Sequence, residues 1–537
     1  MHLKLIKSKS IDFQFLFLLL LCLFIFLFGI GSYGLLDKDE PRYCDSALEM
    51  IENNNWIVPQ FNFQDRFDKP VLYYWLIALS YKFFGVNDFT SRFPSAISAI
   101  LCTLFTYLFT KKILGSRIAL ITSLILVSSV EYLILGRRAA TDITLCLFFT
   151  SAMYSIFLGY YYKDFRLKIL WTILAGLFLG LSVLTKGPVG VLLSFTVLTL
   201  FLFFRRQFNI KHLRIYFILL FFALLVSAPW FFAVHKATNG EFTKVFFLEH
   251  NVNRFTSVVG EHKGPLWFYI PVILGGFMPW TFFFINAVFN FLKKHNKNKI
   301  NKLIYFSLIW FMTGFLFFSL STTKLATYIL LIYPPMAIVS GYWIYILFKK
   351  YKKTFWVNFF ITFISLLFGI VAGAYLFSDW KIDPVNKNIL MLQLLLCVCL
   401  LFAGVIFTFF FWRKNCRFLS GAAVSILIPL SLGITFYTQK YYFYSHKDLR
   451  DFAVTAKGIK PQEIVSYGMF KPSLVFYSRL PVNFEDKSAQ FKSLKKATET
   501  GKSILIIGHT SEIQRLSRLN NFFVLDKREK YFLGKVN

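Results

Sequence analysis

Leu36-Asp37-Lys38-Asp39-Glu40-Pro41-Arg42-Tyr43 is the stretch whose reading decides the fold. Residues 11–35, just before it, are almost wholly apolar and long enough to cross a bilayer. An acidic pair, an arginine and a tyrosine then emerge together where lipid meets water. Charged groups at that depth are costly unless they are paired or working, so the cluster reads as a site rather than a simple loop. Pro41 disfavours helix at Glu40, which places Asp39 and Glu40 at the end of an element.

Working outward, the rest of the chain has the same character. Its 537 residues are 56% hydrophobic and 20% aromatic, with 69 phenylalanines and a mean hydropathy of +0.57. A soluble domain has no use for that much apolar surface, so the chain reads as a polytopic α-helical membrane protein. Hydropathy gives about thirteen spans, over 11–35, 93–110, 117–135, 142–162, 169–185, 189–204, 214–233, 266–290, 303–320, 325–348, 354–377, 389–411 and 418–436. The net charge of +32 would suggest nucleic acid in a soluble protein. Here the basic residues are dispersed over alternate connections, such as Lys111-Lys112, Arg205-Arg206 and the run from Lys349 to Lys353, so no nucleic-acid partner is expected. The positive-inside rule puts those loops and the amino terminus in the cytoplasm. The first span is too long for a cleaved leader and reads as a retained helix. The seven cysteines show no ligand spacing, so neither a disulfide nor a zinc site is expected.

Three segments fall on the opposite, outer face: 36–92, 234–265 and the tail from 437 to 537. The first carries nine acids against six bases and reads as an ordered interfacial lid. The tail loses hydropathy. Short strand-like runs at Ile464–Tyr467, Ile504–Ile507 and Phe522–Leu525 alternate with helix-like stretches at Pro472–Ser478 and Ser511–Leu519. The expected organisation is therefore a membrane domain over 1–436 and a small soluble α/β domain over 437–537.

The chemistry gathers on that outer face. Candidate catalytic carboxylates are Asp39, Glu40 and Asp142, able to take a proton from an incoming hydroxyl. Candidate contacts to a donor's phosphate and lipid are Lys69, Arg42, Tyr43, Tyr73, Arg138 and Arg254, since cations at headgroup depth suit a phosphate. Asp68 and His250 are able to hold a metal, so a divalent ion is a possible cofactor. A lipid-phosphate-linked substrate calls for this equipment. A transporter would instead need polar residues at mid-membrane depth, and the expected spans are nearly free of charge there.

At these residues the chain resembles the polyprenyl-phosphate-dependent glycosyltransferases of the GT-C type. Within them it is nearest the bacterial aminoarabinose transferases that modify lipid A, relatives of the protein O-mannosyltransferases. The resemblance rests on the ordered runs Asp39–Tyr43, Asn55–Pro59, Phe67–Trp75, Phe84–Asn87, Arg92–Ser95, Arg138–Asp142 and Thr185–Pro188, and on Glu249-His250 with Arg254-Phe255. It covers about the first 340 residues. It implies a bacterial inner-membrane enzyme, commonly of thirteen helices, with a catalytic first outer loop and a periplasmic carboxy-terminal domain. It implies that Asp39 acts in the catalytic step and that Asp142 is the acid at the start of the fourth span. Lys69 would meet the lipid phosphate, with Arg42 and Tyr43 lining that site. The donor would be a sugar on undecaprenyl phosphate. The acceptor would be lipid A or a related envelope glycolipid, with a protein hydroxyl as the alternative.

Overall fold

Helices form where the apolar runs are, and polar residues stop them. The computed structural model describes residues 12–253, 264–293, 302–351, 432–486, 504–518 and 521–536. The first helices in chain order are α1 (Phe13–Leu27), α2 (Asp39–Glu52), α3 (Leu72–Phe84), α4 (Asp88–Leu114), α5 (Ser116–Ser128) and α6 (Val130–Gly136). Then come α7 (Thr141–Tyr161), α8 (Phe165–Lys186), α9 (Val189–Phe204) and α10 (Leu213–Ala237). Six helices among the described residues are long and apolar enough to cross a membrane. Two bent pairs, α5 with α6 (70°) and Tyr269–Gly276 with Thr281–Lys293 (115°), raise that to eight. The shorter apolar helices α1 and α9 coincide with two more expected spans. The expected spans at 354–377 and 389–411, and 418–436 up to residue 431, lie outside the described residues.

The two breaks meet. Trp280 Nε1 donates to Ser128 Oγ at 2.7 Å. Glu131, just past the first break, is buried and accepts from the Tyr333 hydroxyl. It lies inside the expected third span and was not among the sequence candidates. The helix α7 is the hub of the bundle, with almost every side chain from Thr141 to Leu158 buried. Thr and Ser hydroxyls along α4 and α7 bond to carbonyls one turn back or to each other, as Ser98 does with Pro94 O and Thr144 Oγ1. Such pairing lets small polar residues line helix contacts in an apolar setting.

The segment 36–92 is ordered. Pro41 does not keep the helix from Glu40. It is the third residue of α2, where its missing N–H would have no intrahelical partner. Asp39 and Glu40 occupy the first turn, where carboxylates favour the helix dipole. Two short strands, β1 (Gln60–Phe61) and β2 (Gln64–Asp65), form a hairpin whose turn residues Asn62 and Phe63 have φ of 56° and 61°. Asn87 and Thr90 cap α4 reciprocally, each side chain bonding the other's N–H at 2.9 and 3.1 Å.

The tail carries a five-stranded sheet of β3 (Glu463–Tyr467), β4 (Val482–Glu485), β5 (Ile504–His509), β6 (Phe522–Lys527) and β7 (Tyr531–Val536), in the order β4-β3-β5-β7-β6. Both β4 and β5 run parallel to β3, while β7 is antiparallel to its neighbours. Alternate residues serve opposite faces. Leu505 and Ile507 pack under Leu449, Phe452 and Ala453 of the helix Lys447–Ile459, whereas Ile504 and Ile506 pack with Phe532 and Leu516. The three strand-like runs read from sequence are β3, β5 and β6. Strands β4 and β7 were not foreseen.

Candidate active site

The site is built where the lid returns to the bundle. Arg92, near the start of α4, is fully buried and directs its guanidinium at Glu40, also buried, at 2.7 and 3.1 Å. The same guanidinium donates to the carbonyls of Ile30, Tyr33 and Gly34 at 2.7–2.8 Å. Glu40 accepts two further bonds, from Leu36 N and Ala139 N, each 2.8 Å. Burial alone would raise the Glu40 carboxyl, yet the Arg92 charge outweighs it and holds the group below the usual range. With four donors on its two oxygens, Glu40 has no lone pair directed at a substrate. The expectation that it is catalytic gives way to a structural one: from the start of α2 it joins the α1–α2 connection, α4 and the α6–α7 connection. Asp39, one residue earlier, is exposed, and its carboxylate makes no hydrogen bond among the described residues.

Beyond α2, Arg66 grips Asp68 with both arms of its fork, at 2.5 and 3.0 Å, and donates to Arg42 O at 2.7 Å. Its guanidinium lies 5.0 Å from the Tyr43 ring centre and 5.8 Å from that of Tyr74. Burial opposes the Asp68 charge, but Arg66 and then Lys69 hold that carboxyl well below its ordinary value. Lys69 is buried, donates to Asp68 O at 3.0 Å and lies 3.6 Å from Asp68 Oδ2. The donor set does not fit a metal at Asp68: its oxygens are engaged by Arg66, and Lys69 and Arg42 add positive charge around it. His250 lies on the π-helix Val245–Val252, and no cluster of three potential metal ligands occurs among the described residues. Asp68, given as a possible metal ligand with His250, is thus an arginine-anchored carboxylate beside Lys69.

Tyr43 and Tyr73 connect the two halves, with rings edge to face at 5.7 Å. Burial, and then the Asp68 charge, pushes the Tyr43 hydroxyl well up, with Asp39 contributing. Tyr73 is fully buried and its hydroxyl pairs with Ser95 Oγ at 2.7 Å, so it supports the site from beneath rather than lining it. Ser95 Oγ in turn bonds Ala140 O at 3.3 Å, next to α7. At the head of α7, Asp142 pairs with Lys186 at 2.5 Å, both mostly buried, and Lys186 Nζ lies 4.6 Å from the Tyr328 ring centre.

The remaining candidates fall elsewhere. Arg42 is at the seam with the tail, its guanidinium 5.9 Å from the rings of both Phe61 and Phe470. Arg138 is half-buried near Glu40 and His446. Arg254 lies outside the described residues. Arg66, Arg92 and Lys186 were not singled out for a role. A charge at the head or foot of an apolar run, as for Arg92 and Lys186, was the signal that could have found two of them.

An apolar wall adjoins Lys69. Phe67 packs edge-on against Phe242 at 5.7 Å, and Phe242 contacts Trp230 and Phe246 at 5.2 and 5.5 Å. Phe232 and Leu248, nearby on α10 and the π-helix, are exposed.

Comparison with known proteins places this architecture. The family described as dolichyl-phosphate-mannose-protein mannosyltransferase matches residues 68–232. The undecaprenyl phosphate-alpha-4-amino-4-deoxy-L-arabinose arabinosyl transferase 2 of Proteus mirabilis is 32% identical over 341 residues, 63% of this chain and 60% of that protein. The corresponding transferase of Wigglesworthia glossinidia brevipalpis is 30% identical over 404 residues, 72% of this chain and 70% of that one. The chain spans about 60% of the length of the first curated relatives it matches. Among solved structures, ArnT from Cupriavidus metallidurans bound to undecaprenyl phosphate superposes with a TM-score of 0.83 at 19% identity, covering 98% of this chain and 99% of that one. The apo oligosaccharyltransferase of Archaeoglobus fulgidus gives 0.55 at 12% identity, over 94% of this chain and 71% of that one. These two likenesses speak to the fold. On the match to the Wigglesworthia protein, over more than two thirds of its length, the chain belongs to the family of undecaprenyl phosphate-alpha-4-amino-4-deoxy-L-arabinose arabinosyl transferases.

Proposed function

We propose that the chain is an inner-membrane glycosyltransferase that moves a sugar from undecaprenyl phosphate to lipid A or a related envelope glycolipid. The observation that carries this is Lys69. Its ammonium is fixed by an arginine-anchored Asp68 beside an aromatic wall, on the same lid that presents the exposed Asp39. A cation beside a greasy wall suits an anionic lipid phosphate, and a free carboxylate suits a hydroxyl nucleophile.

In the reaction, an acceptor hydroxyl attacks the anomeric carbon as the bond from that carbon to the phosphate oxygen breaks. The electron pair leaves with undecaprenyl phosphate, whose charge Lys69 stabilises. Asp39 takes the hydroxyl proton. A single displacement inverts the anomeric carbon. Asp142, held by Lys186 at the head of α7, orients the acceptor. The full count of thirteen spans, a cytoplasmic amino terminus and a periplasmic, soluble tail belong to the same reading. The alternation of basic loops supports it.

The test is reconstitution of the purified chain in vesicles with an undecaprenyl-phosphate-linked aminoarabinose donor and lipid A. The expected result is lipid A heavier by one sugar. Modification of a protein hydroxyl with lipid A unchanged would favour the protein acceptor instead. Donor consumed or moved with no product on either would reject the reading.

A further inference from the structure

Asp39 stands between two clamped neighbours. On one side Glu40 is fixed by Arg92 of the bundle. On the other, Asp37 is fixed by the tail: Ser473 donates its backbone N–H to Asp37 Oδ1 at 2.9 Å and its hydroxyl to Oδ2 at 2.7 Å. The Asp37 side chain is almost completely buried. His446 Nε2 lies 3.8 Å from the same carboxylate. Burial, and then the Lys471 charge, push that imidazole down to about 4, so it is neutral at pH 7. The Ser473 hydrogen bonds are thus the direct hold on Asp37.

The grip repeats along the lid. At its start, Leu35 N donates to the Tyr477 hydroxyl at 2.7 Å, and that hydroxyl donates to Asp88 at the lid's end, also at 2.7 Å. Arg450 pairs with Asp88 at 3.2 Å. At its tip, the Asn62 side-chain amide bonds both Val482 N and Val482 O, at 2.8 and 2.9 Å, in the manner of one more strand beside the edge strand β4. The tail therefore holds the lid at both hinges and at its tip.

We propose that Ser473 is a positioning residue: acting through Asp37, it sets the direction in which Asp39 meets the acceptor, so that the tail completes the active site. This rests on the transferase reading above. Asp39 has no side-chain partner of its own among the described residues, so its aim depends on the backbone on either side. Removing one clamp frees Lys38 and Asp39 to swing about Glu40. Small misplacements of a reacting group are costly in rate.

The test uses the full chain in vesicles, with kcat and the donor KM measured for wild type, Ser473→Ala, Ser473→Thr, Asp37→Ala and the double variant Asp37→Ala/Ser473→Ala. Ser473→Ala is expected to lower kcat about ten-fold with the donor KM held within about two-fold. Ser473→Thr, which keeps the hydroxyl, restores kcat. The double variant is no slower than Asp37→Ala, because both act through one contact. Amide exchange of a peptide spanning 36–40 speeds up in Ser473→Ala while exchange in β3 and β5 is unchanged, a readout independent of turnover. A wild-type kcat in Ser473→Ala, or a double variant slowed by the product of the single effects, overturns the proposal. A wild-type protein that transfers no sugar overturns the transferase reading itself.

Discussion

Replacing Glu40 by Gln separates a catalytic carboxylate from a structural one. Glu40 and Arg92 are 1% and 0% exposed, and four donors converge on the two Glu40 oxygens: Leu36 N, Ala139 N, Arg92 Nε and Arg92 Nη2. Glutamine keeps the shape but turns one oxygen into an amide nitrogen, so whichever way the amide faces, two donors confront a donor. The Arg92 charge stays in the core facing the carbonyls of Ile30, Tyr33 and Gly34, the Tyr33 ring and one amide oxygen in place of a carboxylate. Breaking a buried pair in this way costs about 3–5 kcal/mol. The assay is thermal or chemical unfolding of the purified chain in detergent, with transfer measured in parallel. The expected outcome is a melting point lowered by several degrees, together with reduced turnover. Arg92→Lys is expected to behave alike, because one ammonium cannot replace a fork that bonds a carboxylate and three carbonyls. An unchanged melting point with transfer abolished would refute the structural assignment and return Glu40 to the chemistry.

Lys69→Ala is expected to raise the donor KM about ten- to hundred-fold, the worth of one charge-assisted bond, with Lys69→Arg recovering part of it; an unchanged KM in the alanine variant removes Lys69 from the phosphate site. Asp142→Asn and Lys186→Met are each expected to lower kcat/KM by at least about ten-fold, and the double variant by no more than the larger single effect; full additivity would mean the two side chains work apart. His446 is held neutral in the folded chain, its value lowered to about 4, by burial and then by Lys471, with Arg138 and Lys530 acting the same way and Glu40 opposing. Because the folded value lies below the free one, stability is complete above about pH 6.5 and falls as pH drops toward 4, by about 2 kcal/mol at pH 5. His446→Gln flattens that slope in melts taken between pH 5 and 7.5, and an equal slope in both proteins contradicts the assignment.

Much of this was legible in the sequence because apolar length and charge placement act locally. The expected spans on described residues coincide with apolar helices or bent pairs, and the charges of Asp68 and Asp39 reach the Tyr43 hydroxyl while that of Asp142 reaches Tyr73. What was hidden depends on pairing across long separations. Glu40 reads as a free acid until Arg92, 52 residues on, is folded against it. Asp68 reads as a metal ligand until Arg66 closes on both its oxygens. Tyr73 reads as a substrate contact because its aromatic run is amphipathic, but its hydroxyl is spent on Ser95. The hold of Ser473 on Asp37 spans 436 positions and leaves no local trace. Strand β7, Tyr531–Val536, was missed because it includes Gly534 and Lys535, which dilute the strand pattern, and its place next to β5 is a tertiary fact.

The central claim is that Asp39 carries out the proton step for a sugar leaving Lys69-bound lipid phosphate. Its most direct test is Asp39→Asn in vesicles, with transfer to lipid A and binding of the undecaprenyl-phosphate donor measured on the same preparation. The account predicts transfer lower by at least about a hundred-fold, with donor binding and melting point unchanged, since the side chain is exposed and only its basicity is removed. Transfer at the wild-type rate would contradict it.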